Sequence, residues 1–286
     1  MRLDPMNDQG HRGTFSPGSR QGLTTLPFEK WEGLGNDFIL VRDPAAAIDV
    51  ALVRRLCDRR LGVGADGVLV LLTKGAEPVM VVHNADGSRP EMCGNGLRCV
   101  AAHLLGDREA ATLSVTTDAG PRRCLVRSRG GADFEVTVDM GQTRRGDDLT
   151  AETPKGDWSF VTIDVGNPHA VSFAPFDASS PGDLDVVGPM VEALPKGGTN
   201  VELCRLGQGR IDVLVWERGV GRTQACGTGA CAVAAAACDL ELIPFDVPIL
   251  VGLPGGDLEI TIDRATRHAV MRGPARRVFE GEVAAS

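Results

Sequence analysis

No run of apolar residues in this chain is long enough to cross a bilayer, and its first residues lack the continuous apolar stretch of a secretory signal. A reduced, cytosolic setting without membrane contact is the expectation. Basic charge is not in excess either. The formal net charge is −8, whereas a general nucleic-acid or anionic-membrane binder carries a basic footprint. Lysine is scarce. Lys30, Lys74, Lys155 and Lys196 stand in no setting that suggests a Schiff base, so pyridoxal phosphate is not indicated. No Cys-x-x-Cys pair occurs among the eight cysteines, which removes the usual framework of structural zinc. A disulfide scaffold suits small chains in oxidising compartments, not 286 residues in a reducing one.

What is present describes a globular protein. Apolar residues make up 43% and charged residues 24%, enough for a real core, and the length suits two domains. Residues 1–26 are polar, rich in Gly, Pro and Arg, without apolar period, and read as a disordered extension outside the fold. The body carries short β-branched runs at 38–41, 68–72, 79–82, 113–117, 134–140, 160–165, 170–173, 211–216, 248–251 and 258–263. Gly, Asn, Asp and Pro punctuate them, as in a largely antiparallel sheet. Helices are expected over Ile48 to Arg60, Gly94 to Leu105, Val186 to Ala193 and Gly227 to Leu240. The class is α+β and rich in strand.

An internal repeat organises these elements. MCGNGLRCVAAHL at 92–104 matches ACGTGACAVAAAA at 225–237, each a Cys-Gly-x-Gly turn running into an Ala-rich helix. Gly35-Asn36 precedes Cys93 by about the distance that Gly166-Asn167 precedes Cys226. Asn84 and Glu217 each stand nine positions before their cysteine. Two pseudo-symmetric domains are expected, each a mixed or antiparallel sheet or barrel around a central helix. The first would comprise 27–141 plus 269–284, the second 142–268, and the equivalent turns could face each other across a cleft.

The turn has chemical content. Its glycines permit a tight strand-to-helix bend, and the cysteine falls at a helix N-terminus, where free N–H groups and the partial positive charge favour a thiolate. There a thiol of ordinary pKa ~8.5 can fall to about 3.5–7.5. The same N–H groups can bind a carboxylate. Inverting a stereocentre without redox chemistry needs a base on one face of a carbon and an acid on the other. Two facing turns supply one thiolate and one thiol, with N–H groups for the charge that develops on the carboxylate. The remaining cysteines, including Cys99 and Cys231 on the same helices, read as packing residues.

Together, GLGNDF at 33–38, NADGS at 84–88, EMCGNGLRC at 91–99, GNPH at 166–169, GTNVE at 198–202 and ERGVGRTQACGTGA at 217–230 resemble the diaminopimelate epimerases. The resemblance runs from about Phe28 to the C-terminus. It implies a pyridoxal-phosphate-independent enzyme, without cofactor or metal, interconverting LL- and meso-diaminopimelate on the route to lysine and peptidoglycan precursors. It also implies a homodimer, and a final strand, 273–283, that returns to the first domain. Carried over to matching positions, Cys93 and Cys226 are the acid–base pair. Glu217 and the Arg218 backbone would hold the reacting ammonium, while Gly94, Asn95, Gly227 and Thr228 would offer N–H groups to its carboxylate. Asn36, Asn84, Asn167, Asn200 and the Arg218 guanidinium would grip the distal end. His169 would support the reacting cysteines. Gly67 is a departure, since some members place a glutamine there that reaches the substrate.

Other readings stay in view. Proline and hydroxyproline racemases also use two cysteines, but their first motif resembles Cys-Gly-His-Gly, where this chain has Asn95, and they need no grip on a second amino-acid end. The phenazine-pathway isomerases lack the cysteine pair. A metal or redox protein built on Cys93, Cys99, Cys226 and Cys231 would have poor ligand spacing. A non-catalytic amino-acid binder would not need both cysteines and Glu217.

Overall fold

The computed structural model describes residues 25–75, 77–173 and 182–284. The described residues start with β1 (Thr25–Gly33), β2 (Asn36–Arg42), α1 (Val50–Cys57), β3 (Gly67–Leu72), β4 (Val79–Asn84), α2 (Gly94–Leu105), β5 (Ala110–Thr117), β6 (Gly120–Gly130) and β7 (Asp133–Gln142). They continue with β8 (Arg144–Arg145), β9 (Leu149–Thr153), β10 (Gly156–Asp164), β11 (Pro168–Ser172), α3 (Gly182–Glu192), β12 (Asn200–Leu206), β13 (Arg210–Glu217) and β14 (Gly221–Thr223). Last come α4 (Gly227–Asp239), β15 (Ile249–Leu253), β16 (Gly256–Ile262) and β17 (His268–Ala284). Among the described residues no helix is long and apolar enough to cross a membrane.

The repeat in sequence becomes a repeat in topology. A hairpin (β1–β2, β10–β11) is followed by a parallel step (β2–β3, β11–β12) and an antiparallel pair (β3–β4, β12–β13). A second parallel step follows (β4–β5, β13–β15), then two antiparallel pairings. The sheet is therefore largely antiparallel, as expected, with two parallel steps in each half. Each parallel step needs a long crossover, and α1, α2, α3 and α4 supply them. In the first half the pairings run from β1 through β7 to β17 and back to β1, closing a barrel. The long β17 does this by pairing with β16 and β7 over its first part and with β1 over its last.

The central helices are α2 and α4. All but two residues of α2 and all but Asp239 of α4 are buried, the first inside the closed barrel and the second inside the sheet of the other half. Helix α4 is almost pure Ala, Gly and Cys, so the sheet approaches it closely on every side. Adding methylenes there would overpack the core at a cost of about 1–3 kcal/mol. Helices α1 and α3 pack outside, where satellite apolar clusters cover them.

Two expectations change. Residues 1–24 lie outside the described residues, but Thr25 and Leu26 are not part of an extension. They begin β1 and pair with Ala284 and Val283, and Leu26 is buried against the satellite cluster of Phe28, Ile39 and Val41. Strand β6 lies outside the runs singled out above, because its sequence is dominated by arginine. Only Cys124 and Val126 point inward, and its other side chains face outward or are half-buried.

Candidate active site

The two Cys-Gly-x-Gly turns fold alike. Cys93 caps α2 with φ −136° and ψ 111°, and its sulfur accepts the Gly96 N–H at 3.4 Å. Cys226 caps α4 with φ −128° and ψ 112°, and its sulfur accepts the Gly229 N–H at 3.3 Å. The sulfur thus does what an N-cap oxygen usually does. The first intrahelical bonds run from Leu97 to Cys93 and from Ala230 to Cys226. The N–H groups of Gly94, Asn95, Gly227 and Thr228 precede them and have no helical carbonyl to serve.

Both turns open on one cavity of about 160 Å³. Cys93, Gly94, Asn95, Cys226, Gly227 and Thr228 form its wall, with Asn36, Asn84, Asn167, Asn200, Glu217 and Arg218 around them. Pro90, Met92, Val220 and Ala225 also line it. These four were not among the expected site residues, since they contribute shape rather than polar chemistry. An adjoining cavity of about 440 Å³ shares Pro90, Met92, Asn167, Arg218 and Thr228 and adds Arg89 and Arg122, among others.

Several side chains are already committed. Asn95 donates to Ala225 O at 3.1 Å, so a residue of the first turn holds the backbone just before the second cysteine. Asn95 also donates to Asn36 Oδ1 at 3.3 Å, and Asn36 donates to Asp66 Oδ2 at 2.7 Å. Arg59 bridges Asp66 and Asp37, and Asp37 pairs with buried Lys30. Asn200 Oδ1 accepts the Arg218 N–H at 2.9 Å, and the Arg218 guanidinium donates to Gly197 O at 3.0 Å. Asn84 donates to Ser88 Oγ at 2.9 Å.

Two residues fall outside the cavity wall. Gly67 pairs with Phe38 and Asn84 inside the sheet, and a Cβ there would come within 2.6 Å of His83 O, so the backbone has closed over the position. His169 is fully buried behind Asn167. Its Nε2 lies 3.0 Å from Asn167 Oδ1 and its Nδ1 2.7 Å from Glu202 Oε1. Glu202, itself fully buried, was not among the expected residues. Its signal was the charged residue closing GTNVE, in the buried first part of β12.

The electrostatics correct one expectation. Placement at helix starts does not lower the two thiols, because burial outweighs the N–H groups. Burial pushes Cys93 up to about 11, with the Glu217 charge adding to it, against the Gly96 N–H and the Arg98 cation. Cys226 is raised as well, by burial and then by Glu217 and Glu202, against the Thr228 hydroxyl and Gly229 N–H. Burial also raises the Glu217 carboxyl, although Thr223 Oγ1 donates to it at 2.6 Å and His169 stabilises its charge.

The fold is shared with solved proteins described as racemases and epimerases. It is similar to a probable proline racemase from Agrobacterium radiobacter (TM-score 0.73, 15% identity, 91% of this chain and 93% of that one). A hydroxyproline epimerase from Agrobacterium vitis gives a TM-score of 0.72 at 15% identity, covering 91% of each chain. At this identity the likeness is one of fold. Sequence shows the family. The diaminopimelate epimerase family model matches residues 28–146 and 161–278, one span in each half. A diaminopimelate epimerase from Synechocystis sp. is 39% identical over 284 residues, covering 90% of this chain and 98% of that protein. One from Synechococcus sp. is 42% identical over 290 residues, covering 91% and 98%. The chain belongs to the diaminopimelate epimerase family, and it is an isomerase.

Proposed function

We propose that this chain epimerises LL-2,6-diaminopimelate to meso-diaminopimelate by a two-base mechanism without a cofactor, in the supply of lysine and peptidoglycan precursors. The observation that supports it most is the pair of cysteine-capped helices opening on one polar cavity. One sulfur, as thiolate, takes the α-proton from one face of the carbon. The other, as thiol, returns a proton to the opposite face. The carboxylate of the reacting centre sits against the N–H groups of Gly94, Asn95, Gly227 and Thr228, where charge spreading from the α-carbon is stabilised. Its ammonium pairs with Glu217 and the Arg218 backbone.

That pairing also addresses the raised thiols. Glu217 contributes to raising both sulfurs, so an ammonium that neutralises it makes a thiolate easier to form. Asn36, Asn84, Asn167, Asn200 and the Arg218 guanidinium remain for the second carboxylate and ammonium, as amide and guanidinium groups suit. The family resemblance supports a cytosolic homodimer acting on this small-molecule substrate. A panel of LL-diaminopimelate, L-proline and hydroxyproline, followed by chiral chromatography, tests the assignment. Turnover of diaminopimelate alone is expected. Turnover of proline without diaminopimelate would overturn it.

A further inference from the structure

The two halves share a topology, and their differences are therefore informative. Phe38 on β2 pairs with Gly67 on β3 as His169 on β11 pairs with Asn200 on β12. Two residues further along β3 and β12 stand Leu69 and Glu202. They occupy the same place under their helices. A Cβ on Gly96 would fall 2.7 Å from Leu69 Cδ2, and one on Gly229 would fall 2.7 Å from Glu202 Oε1. The turn of Cys93 thus rests on apolar Phe38 and Leu69, and the turn of Cys226 on fully buried His169 and Glu202. At two more equivalent positions, the first half has Asn84 and fully buried Arg98 where the second has Glu217 and Cys231.

Packing alone does not ask for a His–Glu pair there, since the other half fills the same space with Phe and Leu. Replacing a buried ion pair by hydrophobic residues of similar volume is often neutral or stabilising. Glu202 even leaves Oε2 buried without a hydrogen-bond partner. An unsatisfied buried carboxylate oxygen is a cost that calls for a compensating role.

We propose that Glu202, acting through His169, is a positioning residue that makes the two turns chemically unequal, with Cys93 the thiol that gives up its proton first and Cys226 the one that stays protonated. The connection is continuous. Glu202 Oε1 holds His169 Nδ1, and His169 Nε2 holds Asn167. Asn167 Nδ2 donates to Thr228 Oγ1 at 3.4 Å, and that hydroxyl lies 3.4 Å from Cys226 Sγ. The charged groups that bear on Cys226 are Glu217 on β13 and Glu202 on β12, with His169 on β11 beside Glu202. Those that bear on Cys93 are Glu217 across the cavity and Arg98 on α2. Two carboxylates, one of them held by His169, oppose ionisation at Cys226 and outweigh the Thr228 hydroxyl that favours it, whereas at Cys93 a single carboxylate is opposed by a cation.

This inequality rests on the two-thiol reading of the site, and its test does not depend on turnover. Reduced protein is alkylated with iodoacetamide from about pH 8 to about pH 12, and the peptides of Cys93 and Cys226 are quantified separately. The midpoint of each pH dependence is compared, not the rate, so differences in access drop out. Cys93 is expected to reach its midpoint within this range while Cys226 is still rising at its upper end. Glu202→Gln, which keeps the shape and a contact to His169, is expected to lower the Cys226 midpoint and leave that of Cys93 in place. His169→Phe/Glu202→Leu copies the first half and is expected to do the same, and the kcat profile of either variant should shift with the midpoint. An unchanged gap in whichever variants fold, or a wild-type protein in which Cys226 titrates first, overturns the proposal. An unequal pair that fails to turn over diaminopimelate would instead overturn the two-base reading.

Discussion

Gly94 and Gly227 lie against each other where the two central helices begin. A Cβ built on Gly227 would be 3.5 Å from the Gly94 α-carbon, and one on Gly94 would be 3.6 Å from the Gly227 α-carbon. Each glycine directly follows a candidate catalytic cysteine, so the contact fixes how far apart the two sulfurs can be held. Met140 and Met271 close the space around it, with Met271 Sδ 3.1 Å from the Gly227 Cβ position.

Gly227→Ala should therefore act mainly on catalysis. The new methyl pushes on Met271 and on the facing helix start, and a displacement on the order of 1 Å costs roughly 100-fold in rate. A loss of about 10- to 100-fold in kcat/KM is expected, with a fall of only a few degrees, about 2–4 °C, in Tm. Steady-state kinetics and a thermal melt check it.

Replacing either sulfur removes one member of the proposed acid–base pair. Cys93→Ser and Cys226→Ser are each expected to lower kcat by about 10²- to 10⁴-fold, the usual weight of one positioned acid or base. Both variants should keep the wild-type melt, because a serine hydroxyl caps the same helix N-terminus. If either retains more than about half of its activity, that cysteine does not carry a proton.

Asn95 ties the first turn to the backbone before the second, through Ala225 O. Asn95→Ala leaves that buried carbonyl without its donor, a loss of about 1–3 kcal/mol in stability. Asn36 loses its contact as well, so KM for diaminopimelate should rise while the melt falls. Chemical denaturation together with kinetics separates the two effects.

Acid should loosen the first half through Asp37. Burial alone raises this carboxyl, but hydrogen bonds from Arg59 and Lys30 outweigh it and hold it at about 2, below the ordinary 3.8. A depressed carboxylate stabilises the fold above its unfolded value. That contribution, about 2 kcal/mol, is lost as pH falls from roughly 4 towards 2. Asp37→Asn should flatten the stability profile over this window, as measured by urea unfolding at several pH values.

The parts of the fold that were legible were those with local chemistry. The Cys-Gly-x-Gly turns marked the first residues of α2 and α4, Gly94 and Gly227, because an N-cap is a property of a few adjacent residues. The repeat carried the two-half organisation, and the asparagines and Glu217 then met on one cavity. Strand β6 was hidden by its arginines, and the start of β1 by a polar neighbourhood, since their inward residues are only half the pattern. The raised thiols could not be read at all, because burial depends on the whole surrounding sheet. Glu202 was visible as the charged residue closing GTNVE, but its weight showed only on aligning the halves, where it takes the place of Leu69.

Solvent isotope exchange tests the two-base mechanism most directly. Reduced protein is incubated with LL-diaminopimelate in deuterium oxide, and the products are followed by NMR and chiral chromatography. Deuterium at one α-carbon, appearing together with the meso isomer and lost in Cys93→Ser and Cys226→Ser, is the expected result. Reduced enzyme that shows neither exchange nor epimerisation would contradict it.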